Sequence, residues 1–194
     1  MGGGDMVERN VLFNTCRESS DHGPINSWDR QPFLSNVRTG EPSMQMAWRE
    51  IKNNVLIANY GGSKEIDNDD GSLFYRNHHN FEAFGWGQKF KCGGIESYSN
   101  VKAYIDTGGH LGADPVGGGC VTNASASTFA PNLWHDDVMI HLGDSDFAYR
   151  SCWGAFDKTR VFNNTVYLAS EKLNAVLSGC SDGEAEKGKK GKGK

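Results

Sequence analysis

The chain contains no apolar run that approaches the roughly 18 residues needed to span a bilayer. It has five cysteines but no CxxC pair, so a zinc site built on cysteines is not expected. The HExxH motif is missing, and no Lys-Ser/Thr pair follows the glycines at 117–119 to make a phosphate-binding loop. Helical periodicity is confined to 43–52, which could equally be a strand, and 169–177. The scarcity of helical periodicity favours an all-β fold.

Glycine and aromatic residues are plentiful by comparison, with 25 glycines and 11% aromatics among 194 residues. This length supports one domain with a real core, and the aromatic content argues against a disordered chain. Residues 183–194 hold five lysines and two glutamates, which leaves a net charge of −7 on the remainder. We expect one domain over 1–180 and a disordered Lys/Gly-rich tail over 181–194. The acidic body argues against nucleic acid as a partner and is compatible with bound cations.

A short phrase recurs along the chain: two polar residues, of which the second is Asn or Asp, followed by a largely apolar run. The Asn or Asp of each copy lies at position 10, 54, 80, 100, 137 or 164. The intervals of 44, 26, 20, 37 and 27 residues suit a unit of roughly 20–25 residues with loops inserted. Self-similarity on this scale indicates a solenoid, and the β-branched and aromatic residues of the runs make it a solenoid of strands.

Short strands without hairpin turns or crossover helices favour a parallel coil, in which each strand pairs with its copy in the next turn. At a corner of such a coil, the repeated Asn can bond the backbone and the Asn of the next turn, so the copies are expected to form an asparagine ladder. We expect about six to eight turns around an apolar interior. The candidate interior residues are Val11, Phe13, Val55, Ile57, Phe81, Ala83, Val101, Ala103, Val138, Ile140, Val166 and Leu168.

The N-terminal segment carries no apolar signal core, and the first strand phrase begins by residue 10. Terminal repeats of a solenoid normally need a cap, so we expect a chain truncated at its N-terminus, with any secretion signal in the missing part. Two glycosylation sequons, at Asn123 and Asn163, favour an extracellular or secretory location.

Two stretches, 14–33 and 66–75, resemble a known group of proteins. The first reads Asn-Thr-Cys-Arg-Glu-Ser-Ser-Asp-His-Gly-Pro-Ile-Asn-Ser-Trp-Asp-Arg-Gln-Pro-Phe and the second Ile-Asp-Asn-Asp-Asp-Gly-Ser-Leu-Phe-Tyr. They resemble the right-handed parallel β-helix proteins of the pectate-lyase-like superfamily, in particular the "right-handed β-helix region" proteins of algae and other microbial eukaryotes. The resemblance runs from about residue 8 to about residue 170. It implies an all-β, single-stranded right-handed parallel β-helix, and carbohydrate chemistry only by analogy with the superfamily.

The first candidate site is a loop dense in polar and aromatic side chains: Arg17, Glu18, Asp21, His22, Asn26, Trp28, Asp29 and Arg30. Arginine can bind a uronate carboxylate through two parallel hydrogen bonds, and a tryptophan face can carry a sugar ring. Histidine beside aspartate can transfer protons near neutral pH. We therefore assign His22 and Arg30 to catalysis, and Arg17, Trp28 and Asp29 to substrate binding. The alternative is a salt-bridged loop that only fixes the edge of the coil.

The second candidate site is the run Asp67-Asn68-Asp69-Asp70. Asp67 and Asp69 share one face of a strand, and Asn68 and Asp70 share the other. Clustered carboxylates can bind Ca²⁺ through Asp67, Asp69 and Asp70, or can divide into a protonated acid and an ionised base, with Asp69 and Asp70 as the catalytic pair. An Asp-rich turn that only caps backbone N–H groups is the competing interpretation.

If the coil stacks as expected, the two candidate sites lie on neighbouring turns and converge in one groove. Lys89 and Lys91 lie on one face of a further strand and can contact a carboxylate substrate. Weaker candidates are His110, His135 and the pair His78 and His79, which we expect in a turn.

The leading functional interpretation is a monomeric, carbohydrate-active protein that binds an acidic polysaccharide. Cleavage by a lyase or glycoside hydrolase mechanism would follow if titratable groups converge on one sugar bond. The alternative is a polysaccharide-binding or cell-surface adhesion module without turnover. A third interpretation is a fragment with no activity of its own.

Overall fold

The computed structural model describes residues 4–18, 21–28, 38–39, 47–59, 64–69, 72–90, 94–105, 132–142, 159–168 and 176–178. Every regular element in these ranges is a strand, and none of them contains a helix. The expected tail over 181–194 lies outside the described residues. The strands are β1 (Met6–Glu8), β2 (Val11–Phe13), β3 (Ile25–Ser27), β4 (Arg49–Lys52), β5 (Val55–Ile57), β6 (Ile66–Asn68), β7 (Tyr75–His78), β8 (Phe81–Ala83), β9 (Gln88–Phe90), β10 (Ile95–Tyr98), β11 (Val101–Ile105), β12 (Asn132–His135), β13 (Val138–His141), β14 (Thr159–Phe162), β15 (Thr165–Leu168) and β16 (Val176–Ser178).

These strands form three sheets. From β1 to β9 the chain visits the sheets in rotation, and the described strands from β10 to β15 alternate between sheets A and B. Sheet A has the order β1-β4-β7-β10-β12-β14, sheet B has β2-β5-β8-β11-β13-β15-β16, and sheet C has β3-β6-β9. All pairs are parallel except β15 with β16. Each return to a sheet adds a strand beside the previous one, so the all-β, parallel architecture predicted from the strand phrases is confirmed and is compatible with a β-helix.

A tight corner joins each sheet A strand to the following sheet B strand. The residue that ends the turn has a positive φ, between 54° and 58°, at six corners: Arg9, Asn53, His79, Ser99, Asp136 and Asn163. This left-handed conformation changes the direction of the chain within two residues, so no longer loop is needed between the two strands. The Asn or Asp of the phrase comes next and opens the sheet B strand.

The predicted asparagine ladder is confirmed. Asn54 donates from its backbone N and its Nδ2 to Oδ1 of Asn80, both at 3.0 Å, and Asn80 donates in the same way to Asn100 at 3.0 and 3.1 Å. Asn10 begins the series and Asn164 ends it, because Asn164 Oδ1 accepts from the backbone N of Asp137 at 2.8 Å. The ladder satisfies the backbone N–H that each corner would otherwise leave buried and unpaired.

The prediction of which sheet B residues face the interior is confirmed for some residues and wrong for others. In β5, β8, β11 and β13 the second residue of the strand points inward, and Leu56, Glu82, Lys102 and Met139 are fully buried. The predicted interior residues Val11, Phe13, Phe81, Val101 and Val138 are exposed instead. Val55, Ile57 and Ile140 are half-buried, Ala83 and Ala103 are buried, and the side chains of Val166 and Leu168 lie outside the described set. Side chains alternate along a strand, so the buried ladder Asn forces the next residue outward.

The interior is also less apolar than expected. Its apolar part consists of Ile25, Ile51, Leu56, Ile66, Tyr75, Ile95, Trp134 and Met139. Beside it lies a buried ion pair, in which Lys102 Nζ is 2.6 Å from Oδ2 of Asp137, and that oxygen also accepts from Trp134 Nε1 at 2.6 Å. Glu82 accepts a hydrogen bond from Gln88 nearby. The core therefore combines apolar packing with buried polar and ionisable side chains, of which Lys102 and Asp137 form an ion pair.

The stretch 43–52, which the periodicity left open between helix and strand, ends in strand β4 over Arg49–Lys52. In the second helical stretch, 169–177, only the last two residues are described, and they belong to β16. Both stretches therefore contribute strands to the sheets.

Candidate functional site

The outer face of sheet C brings together residues from both candidate sites. In the register of β3, β6 and β9, Asn26 lies beside Asp67 and Asp67 lies beside Lys89. Ile25 and Ile66, one position earlier, are buried in the apolar core. Because side chains alternate, the middle residue of each strand points away from that core. We call Asn26, Asp67, Asp69 and Lys89 the Asp67 cluster.

The four side chains of the Asp67 cluster are in direct contact. Asn26 donates from Nδ2 to Oδ2 of Asp67 at 3.1 Å. Lys89 Nζ lies 3.3 Å from Oδ1 of Asp67 and 2.8 Å from Oδ1 of Asp69. The side chain of Asp67 is 0% exposed, and those of Lys89 and Asp69 are 14% and 15% exposed. One ammonium group therefore bridges two carboxylates at the rim of a buried position.

Burial makes the ionisable groups around this cluster unusual. The pKa of Asp67 is raised, mainly because burial disfavours its charged form and also because Asp69 lies close, while Lys89 and Asn26 oppose the shift. Burial lowers the pKa of Lys64 to about 8, with the charge of Asp67 acting in the opposite direction. The ammonium of Lys64 lies 4.7 Å from the ring centroid of Trp86. Perturbed pKa values of this kind concentrate at functional sites.

Sequence reasoning missed Lys64 because its distinguishing property is burial. Nothing in the run from Lys64 to Asp67 separates this lysine from a solvated one, yet it is buried in the structure. The alternation of side chains along a strand, which placed Asp67 and Asp69 on one face, makes no prediction for Lys64, because Lys64 lies before the first residue of β6.

Gly23 allows the predicted loop to approach the cluster. A Cβ at Gly23 would lie 1.7 Å from the backbone oxygen of Lys64, so only glycine permits this contact between the two turns. His22 directly precedes Gly23. Its Nδ1 lies 3.5 Å from Nδ2 of Asn26, and its Nε2 lies 3.9 Å from Oδ2 of Asp21. His22 is therefore linked to the cluster through Asn26, on the solvent side.

The remaining predicted site residues are only partly described. Trp28 directly follows β3 and is 56% exposed. Arg17 and Glu18 are exposed on the segment between β2 and β3. Asp29, Arg30, Asp70 and Lys91 lie outside the described residues, as does His110. Their assigned roles stay predictions.

The predicted calcium site, of Asp67, Asp69 and Asp70, is only partly described and stays a prediction. In the ranges that the structure describes, no group of three or more His, Cys, Asp or Glu side chains could hold a metal ion. Asp67 and Asp69 instead share the ammonium of Lys89, so a cation between them would have to displace it. Hard oxygen ligands are what Ca²⁺ requires, and Asp70, the third predicted ligand, lies outside the described part of the chain.

A second group of polar side chains lies on the outer face of sheet A. His78 ends β7, His79 occupies the corner after it as predicted, and His135 ends β12. His135 lies between two carboxylates, with Nδ1 2.6 Å from Oδ2 of Asp136 and Nε2 3.4 Å from Oε1 of Glu96. These histidines do not join the Asp67 cluster, because they belong to a different sheet.

No family model, curated protein or solved structure matches this chain. Within the described ranges, no helix has the length and apolar character needed to cross a membrane. The resemblance to the pectate-lyase-like superfamily therefore stays a prediction.

Proposed function

We propose that this chain is a right-handed, single-stranded parallel β-helix that binds an acidic polysaccharide at the outer face of sheet C and acts on it there. The observation that carries the proposal is the convergence of two carboxylates and an ammonium: Asp67 on β6, Asp69 directly after β6, and Lys89 on the adjacent strand β9. The rotation of the chain through three parallel sheets supports the β-helix.

The two carboxylates are suited to different halves of an acid–base reaction. Burial raises the pKa of Asp67, which favours this carboxyl as the proton donor to a glycosidic oxygen. Asp69 lies 2.8 Å from the ammonium of Lys89 and is the carboxylate we assign to deprotonate a water for attack on the anomeric carbon.

A lyase reaction would use Asp67 of the cluster together with a base from outside it, Lys64. Lys64, whose pKa is about 8, is partly neutral at mildly alkaline pH and could take the proton next to a uronate carboxylate. The bond from the ring to the glycosidic oxygen would break, a C=C bond would form, and Asp67 would protonate the leaving oxygen. Calcium, if bound through Asp70 and neighbouring carboxylates, would supply charge stabilisation for the uronate.

Binding without turnover is the second candidate. It is favoured by the contact of Lys89 with both carboxylates, which would leave neither free for chemistry until a ligand displaces the ammonium. The exposed ring of Trp28, directly after β3, offers a surface for a sugar ring in either case.

The test is incubation of the folded protein with polygalacturonate, alginate and a neutral β-glucan, each with Ca²⁺ and with a chelator. Unsaturated products would identify the lyase reaction, and new reducing ends without unsaturation would identify the hydrolase. Asp67→Asn is expected to lower turnover at least 100-fold while binding is retained. Asp5→Asn, at an exposed carboxylate ahead of β1 and outside both candidate sites, is the control and is expected to change neither.

Tight binding to the polyuronates with no product, unchanged in Asp67→Asn, would select the binding module. No binding to any of the polymers by a folded protein would overturn the proposal.

A secreted location belongs to the same proposal. Asn163, the acceptor of the second sequon, is exposed at a corner and therefore accessible to modification. Secretion from a eukaryotic host should give a protein whose mass falls on glycosidase treatment, with no such decrease at this position in Asn163→Gly. An unmodified Asn163 in the secreted protein would remove this support.

A further inference from the structure

The outer face of sheet A carries a column of side chains stacked along the axis of the sheet. Equivalent positions on successive strands hold Lys52, His78, Tyr98, His135 and Phe162. The four rings are nearly parallel, with an interplanar angle of 4° at each step and centroid distances of 4.6, 5.3 and 4.6 Å. Stacking fixes the plane of each ring, so the ring nitrogens of the two histidines point in defined directions.

The nitrogens of His78 face two particular groups. Its Nδ1 lies 2.8 Å from Nδ1 of His79, and its Nε2 lies 3.6 Å from Oε2 of Glu50. A contact of 2.8 Å between two nitrogens requires one hydrogen between them, so one Nδ1 donates and the other accepts.

The His78–His79 pair can accept one added proton without losing its Nδ1–Nδ1 contact, but it cannot accept a second. In the neutral pair, one ring donates Nδ1–H to the other. A first added proton can be accommodated, because a charged His78 still donates to Nδ1 of His79 and points its Nε2–H at Glu50. A second proton would place two N–H groups head to head at 2.8 Å, and the contact cannot survive that.

We propose that His78 and His79 form an acid-sensitive latch at the corner between β7 and β8, in which the two imidazoles together accept one proton but not two. Acidification opens the latch by charging both rings. This inference is independent of the proposed function, because the latch belongs to sheet A and the Asp67 cluster to sheet C.

The surroundings of the pair agree with this direction. Glu50 and Lys52 face His78 from β4, and Tyr98 stacks on it from β10. The pKa of His78 is lowered, first because burial disfavours its charged form, while Glu50 acts in the opposite direction and Lys52 and His79 add to the shift. Because Lys52 Nζ already holds Glu50 at 2.7 Å, that carboxylate is only partly available to compensate a charged His78.

Opening the latch has a structural consequence at the corner. His79 has a φ of 54°, and the next residue, Asn80, is a buried rung of the ladder. Phe81 follows, and its backbone N donates to the oxygen of Asn54 at 2.9 Å. Two charged rings that repel each other would pull on this corner, so the amide of Phe81 should exchange faster in acid.

His79→Asn is the variant that tests the latch. Asparagine occupies the same corner position in two other turns, as Asn53 and Asn163, so the backbone conformation is compatible with the change. A folded state that binds one proton fewer than the unfolded chain loses about tenfold in its folding equilibrium constant per pH unit. We expect the folding constant of the wild type to fall relative to that of His79→Asn by up to about tenfold per pH unit as the pH drops from about 6 to 4.5, since an unperturbed histidine titrates near 6.5.

The measurements are urea denaturation of the full chain across this pH range, and hydrogen exchange at Phe81 in both proteins. Parallel stability curves for the wild type and His79→Asn would overturn the latch. So would ¹⁵N spectra in which both rings are fully charged at pH 5 while Phe81 stays protected.

Two further variants keep the test decisive. His78→Phe retains a ring in the stack, as Phe162 does at the same position, and should abolish the same pH dependence even if His79→Asn fails to fold. In a His135→Phe background, the difference made by His79→Asn should persist. If His135→Phe alone removes the acid sensitivity, the latch is wrong and the sensitivity resides in the pair of carboxylates around His135.

Discussion

Asp137 is the one charged rung among the six residues of the asparagine ladder. Its Oδ1 accepts from the backbone N and Nδ2 of Asn100 at 2.7 and 3.0 Å, as an asparagine would. Its Oδ2 accepts from Lys102 and Trp134, both at 2.6 Å, which an asparagine Nδ2 could not do. The aspartate is therefore explained by the lysine that the neighbouring strand buries, and Asp137 and Lys102 are each required by the other.

Replacing Asp137 by asparagine should keep the ladder contact but leave the buried ammonium of Lys102 without a carboxylate partner. We expect Asp137→Asn to lower the free energy of unfolding by about 3–5 kcal/mol, the usual cost of breaking a buried pair. The double variant Asp137→Asn/Lys102→Met should be more stable than the single one by about 2 kcal/mol, since Met139 already occupies the next inward position. Urea denaturation measures both, and a double variant no more stable than Asp137→Asn would contradict the assignment.

Glu82 gives the protein a stability that falls as the pH rises. Burial, with a contribution from Asp137, raises its pKa to about 7 from an ordinary value of 4.5, although Lys102 opposes the shift. The folded state therefore binds the proton more tightly than the unfolded chain does, so this contribution is complete below about pH 4.5 and is lost as the pH rises through 7.

Glu82→Gln removes this titration and keeps an oxygen to accept from Gln88. Relative to the wild type, the variant should gain on the order of 3 kcal/mol between pH 5 and pH 8, because one pKa unit corresponds to about 1.4 kcal/mol. Denaturation at these two pH values is the measurement. An equal effect at both would show that Glu82 titrates normally.

At the scale of the elements, the ladder predicts a gradient of mutational cost along its length. Asn80 is buried, accepts from Asn54, and donates to Asn100 and to the backbone oxygen of Ile51 at 2.9 Å. Asn10 is exposed, and its side chain donates to the backbone oxygen of Glu8 and to Oδ1 of Asn54.

Asn80→Ala should therefore cost about 3 kcal/mol or more, because it leaves several buried polar groups without partners. Asn10→Ala is the matched control at the exposed end, where water can replace the lost contacts, and should cost about 1 kcal/mol or less. Thermal or urea denaturation of the two variants measures the difference. An equal loss in the free energy of unfolding for both variants would mean that the ladder hydrogen bonds do not stabilise the corners.

Gly23 makes a prediction about how two elements meet. Gly23→Ala places a Cβ against the backbone oxygen of Lys64, so β3 and β6 must separate. We expect a loss of about 2 kcal/mol in stability, as for overpacking, together with weaker polyuronate binding through the lost Asn26–Asp67 contact. Arg17→Ala, an exposed change in the same loop, should leave stability within about 0.5 kcal/mol. Wild-type stability of Gly23→Ala would contradict the close approach.

The sequence was informative about elements and less so about faces. The repeated phrase predicted the strands and the ladder, because both depend on local chemistry that recurs at every corner. The prediction placed Val11 and Phe13 in the interior because they are apolar, but both are exposed. Side chains alternate along a strand, so the ladder position of Asn10 places Val11 and Phe13 on the outer face. The charges Glu82 and Lys102 could not be placed inside from the sequence alone, since charged residues are buried only when their partners are known.

At the scale of the whole molecule, the parallel pairing of strands within each sheet explains why distant residues meet. Asn26 and Asp67 are 41 positions apart in the sequence and in contact in the structure, because β3 and β6 are neighbours in sheet C. Their proximity could be predicted once the coil was accepted. The burial of Lys64 and the stack on sheet A could not, because both depend on the register between turns of unequal length.

The most direct test of the central claim is where an acidic polysaccharide binds, measured by hydrogen exchange with mass spectrometry. Addition of polygalacturonate or alginate should slow exchange in peptides that cover 64–69 and 86–90, around the Asp67 cluster, and a neutral β-glucan should not. Protection that is strong in the wild type and reduced when Lys89→Met removes the bridging ammonium would agree with the proposed site. Unchanged exchange in both segments, or protection confined to sheet A, would contradict it.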